Sequence, residues 1–171
     1  MSGIVRKIDD LGRIVIPKEL RKSLNIKNSD DLEITITDDK IILEKYYRLK
    51  NLKNTLNKYF KMLDKFLDSD FIISDKENIL LTSKEYSNLK DTKLSNKIIE
   101  LLDYRKPVLE NSFTSLKLTS DIELNKNYYF YPIIIDTDIL GSIIIFNNKK
   151  IESKDILVVD IFSYLLKEKI E

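Results

Sequence analysis

The chain has 171 residues, enough for one ordinary domain or for a small one joined to a second of roughly 100 to 120 residues. With 43% apolar and 33% charged residues it has the profile of a globular chain, and 29 basic against 28 acidic side chains leave a net charge of only +1, so any attraction for phosphate has to be local. Without Cys or His it has no thiol or imidazole chemistry, no zinc site of the usual kind and no disulfide, and its three glycines, Gly3, Gly12 and Gly141, cannot form a glycine-rich phosphate loop.

Residues 3 to 16 read as two short strands around Asp9-Asp10-Leu11-Gly12, with Gly12 supplying the backbone freedom of a tight connection. Pro17 opens a helix of about two turns, in which Leu20 and Leu24 face inward and Asn25 is a left-handed terminator. Leu32, Ile34 and Ile36 alternate with polar residues, and Asp38-Asp39 turns the chain into a second strand from Lys40 to Lys45. A unit of about 45 residues with neither disulfide nor metal is close to the limit for a single core, so it needs a partner surface, and dimerisation is the simplest one.

From Tyr46 to Asp68 there is neither Gly nor Pro, and Leu49, Leu52, Leu56, Tyr59, Leu63 and Phe66 recur at steps of three and four, predicting a helix with a heptad-like seam. A hairpin (71–74 and 79–81), a helix (94–105) stopped by Pro107, a polar stretch (111–127), two strong strands (128–135 and 139–146) and a final helix (153–169) follow. The last helix carries Ile156, Val159, Phe162, Leu166 and Ile170 on one stripe. These elements predict an antiparallel α+β sheet flanked by helices. The longest apolar runs fall well short of the ~20 residues that span a bilayer, and the opening Met1 to Lys7 lacks the apolar centre of a signal peptide, so a cytoplasmic protein without a membrane partner is expected.

Charge is concentrated at the start of the chain. Residues 3 to 27 carry seven basic against three acidic side chains, a net of +4, whereas residues 28 to 45 carry two against six, a net of −4. With Leu20 and Leu24 turned inward, Lys18, Arg21 and Lys22 lie on the outer side of the first helix, and Arg6, Lys7 and Arg13 on the neighbouring strands. Charge alone is equally compatible with a solvated surface in which Glu19 pairs with Lys22. The pairs Asp9-Asp10, Asp30-Asp31, Asp38-Asp39 and Asp136-Thr137-Asp138 sit at predicted turns, where Asp bonds the backbone, and read as turn chemistry rather than acid-base pairs. Ser87-Asn88-Leu89-Lys90 matches the S-x-x-K pattern of acyl enzymes, but its companion motifs are absent. No enzymatic activity and no cofactor are expected.

The run from Gly3 to Lys22, GIVRKIDDLGRIVIPKELRK, and residues 3 to 47 as a whole closely resemble the AbrB-type swapped-hairpin DNA-binding domain. Together with the length, the linking helix and the larger second domain, this makes the chain similar to regulators of the stage V sporulation protein T type, in which an AbrB-type domain precedes a GAF-like domain. The resemblance implies an α+β protein in three parts: a dimeric swapped-hairpin β-barrel (1–47), a linking helix (48–68), and a GAF-like antiparallel sheet flanked by helices (69–171). It places the DNA-contacting residues at Arg6, Lys7, Arg13, Arg21 and Lys22. Many relatives have a Gly-Asp turn where this chain has Ser29-Asp30. The implied partners are double-stranded DNA, a second copy of the chain at least, with a tetramer as a further state, and a small-molecule ligand. That ligand would occupy a cavity under residues 83–93 and 111–126 of the GAF-like domain. The implied role is a nucleoid-associated transcription regulator of sporulation or stationary phase. The alternative is an antitoxin, since swapped-hairpin domains also serve toxin–antitoxin pairs.

Overall fold

The structure is a computed structural model that describes residues 3–28 and 30–170, with the backbone alone for Asn51 and residues 53–56. Met1, Ser2, Ser29 and the Leu56 side chain, on which parts of the sequence reading rest, lie outside it. The chain divides into two compact units, Met1–Tyr46 and Tyr47–Glu171.

In the first unit, helix α1 (Lys18–Ser23) is followed by strands β1 (Leu32–Thr37) and β2 (Lys40–Lys45), which pair antiparallel from Leu32↔Lys45 to Thr37↔Lys40. Pro17 does not occupy the first helical position as expected but stands at the N-cap, where its carbonyl accepts the Arg21 N–H at 3.0 Å. The predicted terminator does act as one. Asn25 adopts φ 52°, and the Ile26 and Asn25 amides return to the carbonyls of Arg21 (2.7 Å) and Lys22 (3.2 Å). The two strands expected within residues 3–16 are not formed, because within one chain these segments pair only at the tip of their turn. Leu20 and Leu24, expected to face inward, are 39% and 59% exposed. The reason is general to the unit: among its described residues only Pro17 is buried.

The second unit has a core on each side of one sheet. It begins with α2 (Arg48–Asn51) and α3 (Lys53–Phe66), separated at Leu52 instead of forming one continuous helix. Leu49 and Leu63 are both buried. Fourteen residues of straight α-helix would leave them about 40° out of phase, and a tighter turn at Leu52, whose N–H bonds the Leu49 carbonyl, recovers part of that mismatch. The sheet runs β4 (Ile79–Thr82), β3 (Asp70–Ser74), β9 (Asp138–Asn147), β8 (Asn127–Ile135), β5 (Val108–Glu110), with every neighbouring pair antiparallel.

Alternation sorts the side chains of this sheet. Phe71, Ile73, Tyr129, Ile133, Ile143 and Ile145 point to the face covered by α2, α3 and α5 (Ser153–Ile170), where Val159, Phe162 and Leu166 complete the core. Ile72, Phe130, Ile144 and Phe146 point to the other face, beneath a 3₁₀ segment (Lys84–Leu89) and α4 (Asn96–Tyr104). Both faces are covered, which is why β9 reads as an unbroken apolar run. The polar stretch after Pro107, whose sequence shows no clear period, holds a small two-stranded sheet, β6 (Ser115–Lys117) with β7 (Glu123–Asn125).

Where β3 ends, Asp75 is almost wholly buried beside Gly141. Its Oδ1 accepts the Glu77 and Asn78 amides at 2.7 and 2.6 Å, while Oδ2 is buried with no partner among the described residues. Burial pushes its carboxyl above the ordinary 3.8, against the lowering effect of the two amides. The folded unit therefore holds this proton more tightly than the unfolded chain does. The contribution to stability is present below pH 3.8 and is lost as pH rises through the raised native value. Asp75→Asn keeps the Oδ1 acceptor and removes the charge. Thermal denaturation should show it more stable than the parent at pH 7, with the advantage fading as pH falls towards 3.8.

Candidate nucleic-acid interface

The tip between the first two segments is a three-residue loop held from both sides. The Gly12 N–H bonds the Asp9 carbonyl at 2.9 Å, the Asp9 N–H bonds the Arg13 carbonyl at 3.1 Å, and Gly12 takes φ 75°, the combination of a type I turn with a left-handed bulge residue. The Asp9 side chain closes the loop again from outside: Oδ1 accepts the Leu11 and Arg13 amides at 3.0 and 2.8 Å. Turn chemistry, as expected for this Asp, accounts for one of its oxygens. The other accepts Arg13 Nε at 2.7 Å. These bonds from the Arg13 backbone and side chain, in that order, hold the Asp9 carboxyl below its ordinary 3.8.

Arg6, Lys7 and Lys22 are exposed, and the Arg13 side chain is 71% exposed despite its ion pair. Arg21 departs from the expected outward position. It is half-buried, with Nε buried and unpartnered among the described residues and Nη1 donating to Asn28 Oδ1 at 3.4 Å. The helix cannot turn Arg21 fully outward because the Schellman-type ending at Asn25 folds residues 26–28 back alongside it. On the acidic half of the unit, Asp30 Oδ2 accepts the Lys27 amide at 2.8 Å and lies 3.5 Å from Lys45 Nζ, both side chains being well covered. Ser29, the departure from the Gly-Asp turn, lies outside the described residues.

Large apolar side chains of the same unit are also left uncovered. Val5, Ile8, Leu11 and Val15 on the tip segments and Ile34, Ile36, Ile41 and Leu43 on β1 and β2 are all exposed. The register places Ile34 opposite Leu43 and Ile36 opposite Ile41, so the four share one face of the hairpin.

In the second unit, residues 83–93 and 111–126, expected to cover a ligand, contribute buried side chains to the core. Leu89, Leu94, Leu116 and Leu118 are buried in the core under residues 83–93 and 111–126, and Tyr86 packs edge-on against Phe146 at 4.9 Å. At the rim of that region a polar depression of about 390 Å³ opens between Asp68, Asp70, Ser83, Lys84 and Lys126. Lys126 Nζ bonds the Tyr86 hydroxyl at 3.0 Å and lies 3.6 Å from Asp70. Among the described residues no group of His, Cys, Asp or Glu is placed to hold a metal ion, and no helix is long and apolar enough to cross a membrane.

Residues 5–49 match the family model for antidote-toxin recognition MazE, bacterial antitoxin. Over 45 residues the chain is 62% identical to the transition state regulatory protein AbrB of Bacillus subtilis (strain 168), which covers 26% of this chain and 47% of that protein. The crystal structure of a GAF domain/HD domain protein from Geobacter sulfurreducens superposes with a TM-score of 0.51 at 13% identity, covering 70% of this chain and 93% of that one. An AbrB/MazE-type hairpin domain followed by a GAF-like sheet defines the class: a two-domain transcription regulator. Residues 51–166 match the model for the stage V sporulation protein T C-terminal region, a transcription factor. Stage V sporulation protein T of Bacillus subtilis (strain 168) is 36% identical over 152 residues, covering 85% of this chain and 84% of that protein. The chain belongs to the stage V sporulation protein T family.

Proposed function

We propose that the chain acts as a homodimer whose two N-terminal units interlock their hairpins and grip duplex DNA through Arg6, Lys7, Arg13, Arg21 and Lys22, in the cytoplasm at the nucleoid. One observation carries the reading: a unit with a basic tip buries only Pro17 among its described residues, and a second copy would cover its exposed apolar side chains. Duplication also sets two basic tips side by side. In this reading the functional parts run 1–47, 48–68 and 69–171, and the GAF-like part senses a small ligand or assembles dimers into tetramers during sporulation or stationary phase. The antitoxin alternative has less support, because residues 51–166 form a folded domain that matches a transcription factor rather than a short toxin-binding tail.

The test is a gel shift on promoter fragments. Arg13→Ala and Arg21→Ala should each weaken binding by about tenfold or more, the range of a lost bidentate arginine contact, with unchanged circular dichroism. Those of the ten basic side chains per dimer that reach phosphates would also make the logarithm of affinity fall with the logarithm of salt, at about 0.9 per phosphate contact. Binding unaffected by both substitutions removes the site.

A further inference from the structure

Two carboxylates at the basic tip, Asp9 and Asp10, work against phosphate attraction, and that of Asp9 is bonded to the guanidinium of Arg13. A turn does not require this. The Asx-type bonds to the Leu11 and Arg13 amides use Oδ1 alone, and any acceptor at that atom would make them. Oδ2 is left over, and it is spent on Arg13 Nε at 2.7 Å. The pair is open to solvent, with side chains 41% and 71% exposed, so as an isolated surface ion pair it adds little to stability.

Its effect on the guanidinium is more specific. An arginine offers two edges for bidentate bonding, one through Nε and the other through the two Nη groups, five N–H donors in all. With Nε bonded to Asp9, the edge presented outward is Nη1–Nη2, and the pairing favours this orientation before any partner arrives. The loop is itself rigid: two backbone bonds and two side-chain-to-backbone bonds close it, so the carboxylate is a fixed support. The same charge repels phosphate oxygens that approach Arg13 from the Asp9 side.

We propose that Asp9 is a positioning residue that makes Arg13 a reader of DNA sequence rather than a general phosphate anchor. This rests on the reading that Arg13 contacts DNA. Held in place, Arg13 meets a matching pair of acceptors, such as guanine O6 and N7, with little further loss of freedom. It gains less from unselected phosphate because a carboxylate already occupies part of its field.

Asp9→Asn separates the two roles. The amide oxygen still accepts the two backbone N–H groups, but an NH₂ replaces the oxygen facing Arg13 Nε, and two donors do not bond. The full-length chain is assayed on two probes: a duplex enriched by the wild-type protein from a random-sequence library, and a scrambled duplex of the same base composition. Asp9→Asn should weaken binding to the enriched duplex by about tenfold and strengthen binding to the scrambled one by about threefold, magnitudes typical of one base contact and one added charge. In an Arg13→Ala background the same substitution should no longer change the selectivity between the probes, which is the signature of a shared contact. A merely structural role for Asp9 lowers both affinities together and alters the circular dichroism, and that result overturns the proposal. So does an unchanged ratio in a chain that Arg13→Ala still weakens. If Arg13→Ala itself leaves binding to the enriched duplex intact, the Arg13 contact falls first and the proposal with it, so the two failures are told apart.

Discussion

Gly141→Ala should unfold the C-terminal unit or bring it close to unfolding. A Cβ built at Gly141 would lie 1.8 Å from the Ser74 carbonyl oxygen, 2.8 Å from the Ser74 carbonyl carbon and 2.9 Å from the Asp75 Cα. All three are backbone atoms, so no rotamer change relieves the overlap. They are also held in place, since Ser74 pairs with Ser142 in the sheet, the two hydroxyls bond at 2.7 Å in the buried interior, and Asp75 is tied into its own turn. Relief requires the end of β3 to leave β9, the central strand that carries Ile143, Ile144, Ile145 and Phe146 into both cores. The expected cost is about 4 kcal/mol or more, in the range that marks broken packing rather than a surface change, and a melting temperature lower by about 15 °C. Gly3→Ala is the control, because a Cβ there meets nothing within 4 Å. A Gly141→Ala chain that melts within a few degrees of wild type would show that the Ser74–Asp75 crossing can yield.

The same strands explain which parts of the fold could be read from sequence. β8 and β9 were legible because both faces of the sheet are covered and almost every position is apolar, and α5 because Val159, Phe162 and Leu166 repeat at helical spacing onto one buried stripe. β6 and β7 left no such trace. Each has three residues and one apolar side chain turned to the core, Leu116 and Leu124, too short for any period to emerge. The break at Leu52 was hidden for another reason: it has neither Gly nor Pro and follows from the angular phase between Leu49 and Leu63, which only their common burial reveals.

The candidate site shows the same limit from the other side. Its charge polarity was visible by counting, and Arg6, Lys7, Arg13, Arg21 and Lys22 came from the resemblance. The state of each side chain was not visible. Arg21 is drawn in beside Asn28 by the way α1 ends, and the Asp9–Arg13 bond depends on Gly12 reaching φ 75° so that residues four apart meet across the tip. The spacing D-x-x-G-R contains the signal, but only once the loop is known to be a three-residue turn. In the segments before Pro17, the apolar residues Ile4, Val5, Ile8, Ile14 and Val15 mark surface to be covered and do not say what covers it.

Ile36→Asp should abolish the dimer and DNA binding together while leaving the C-terminal unit folded. Ile36 is 79% exposed in one chain and faces Ile41 across the hairpin, with Ile34 and Leu43 beside them on the same face, 67% and 43% exposed. Covering each such side chain in a second copy contributes about 1.5 to 3 kcal/mol. A carboxylate on that face reverses the sign, since a buried charge without a partner costs several kcal/mol. Sedimentation should show a lighter species, with DNA affinity lower by at least about a hundredfold because both tips are lost from one surface. Thermal denaturation should keep the transition of residues 47–171, whose cores lie on the two faces of their own sheet. An Ile36→Asp chain that remains dimeric and binds DNA as before would mean that the exposed hairpin face is not what joins the two copies. The same basic residues would then have to be brought together by contacts of the second unit, an arrangement in which Ile36→Asp is silent and deletion of residues 47–171 is not.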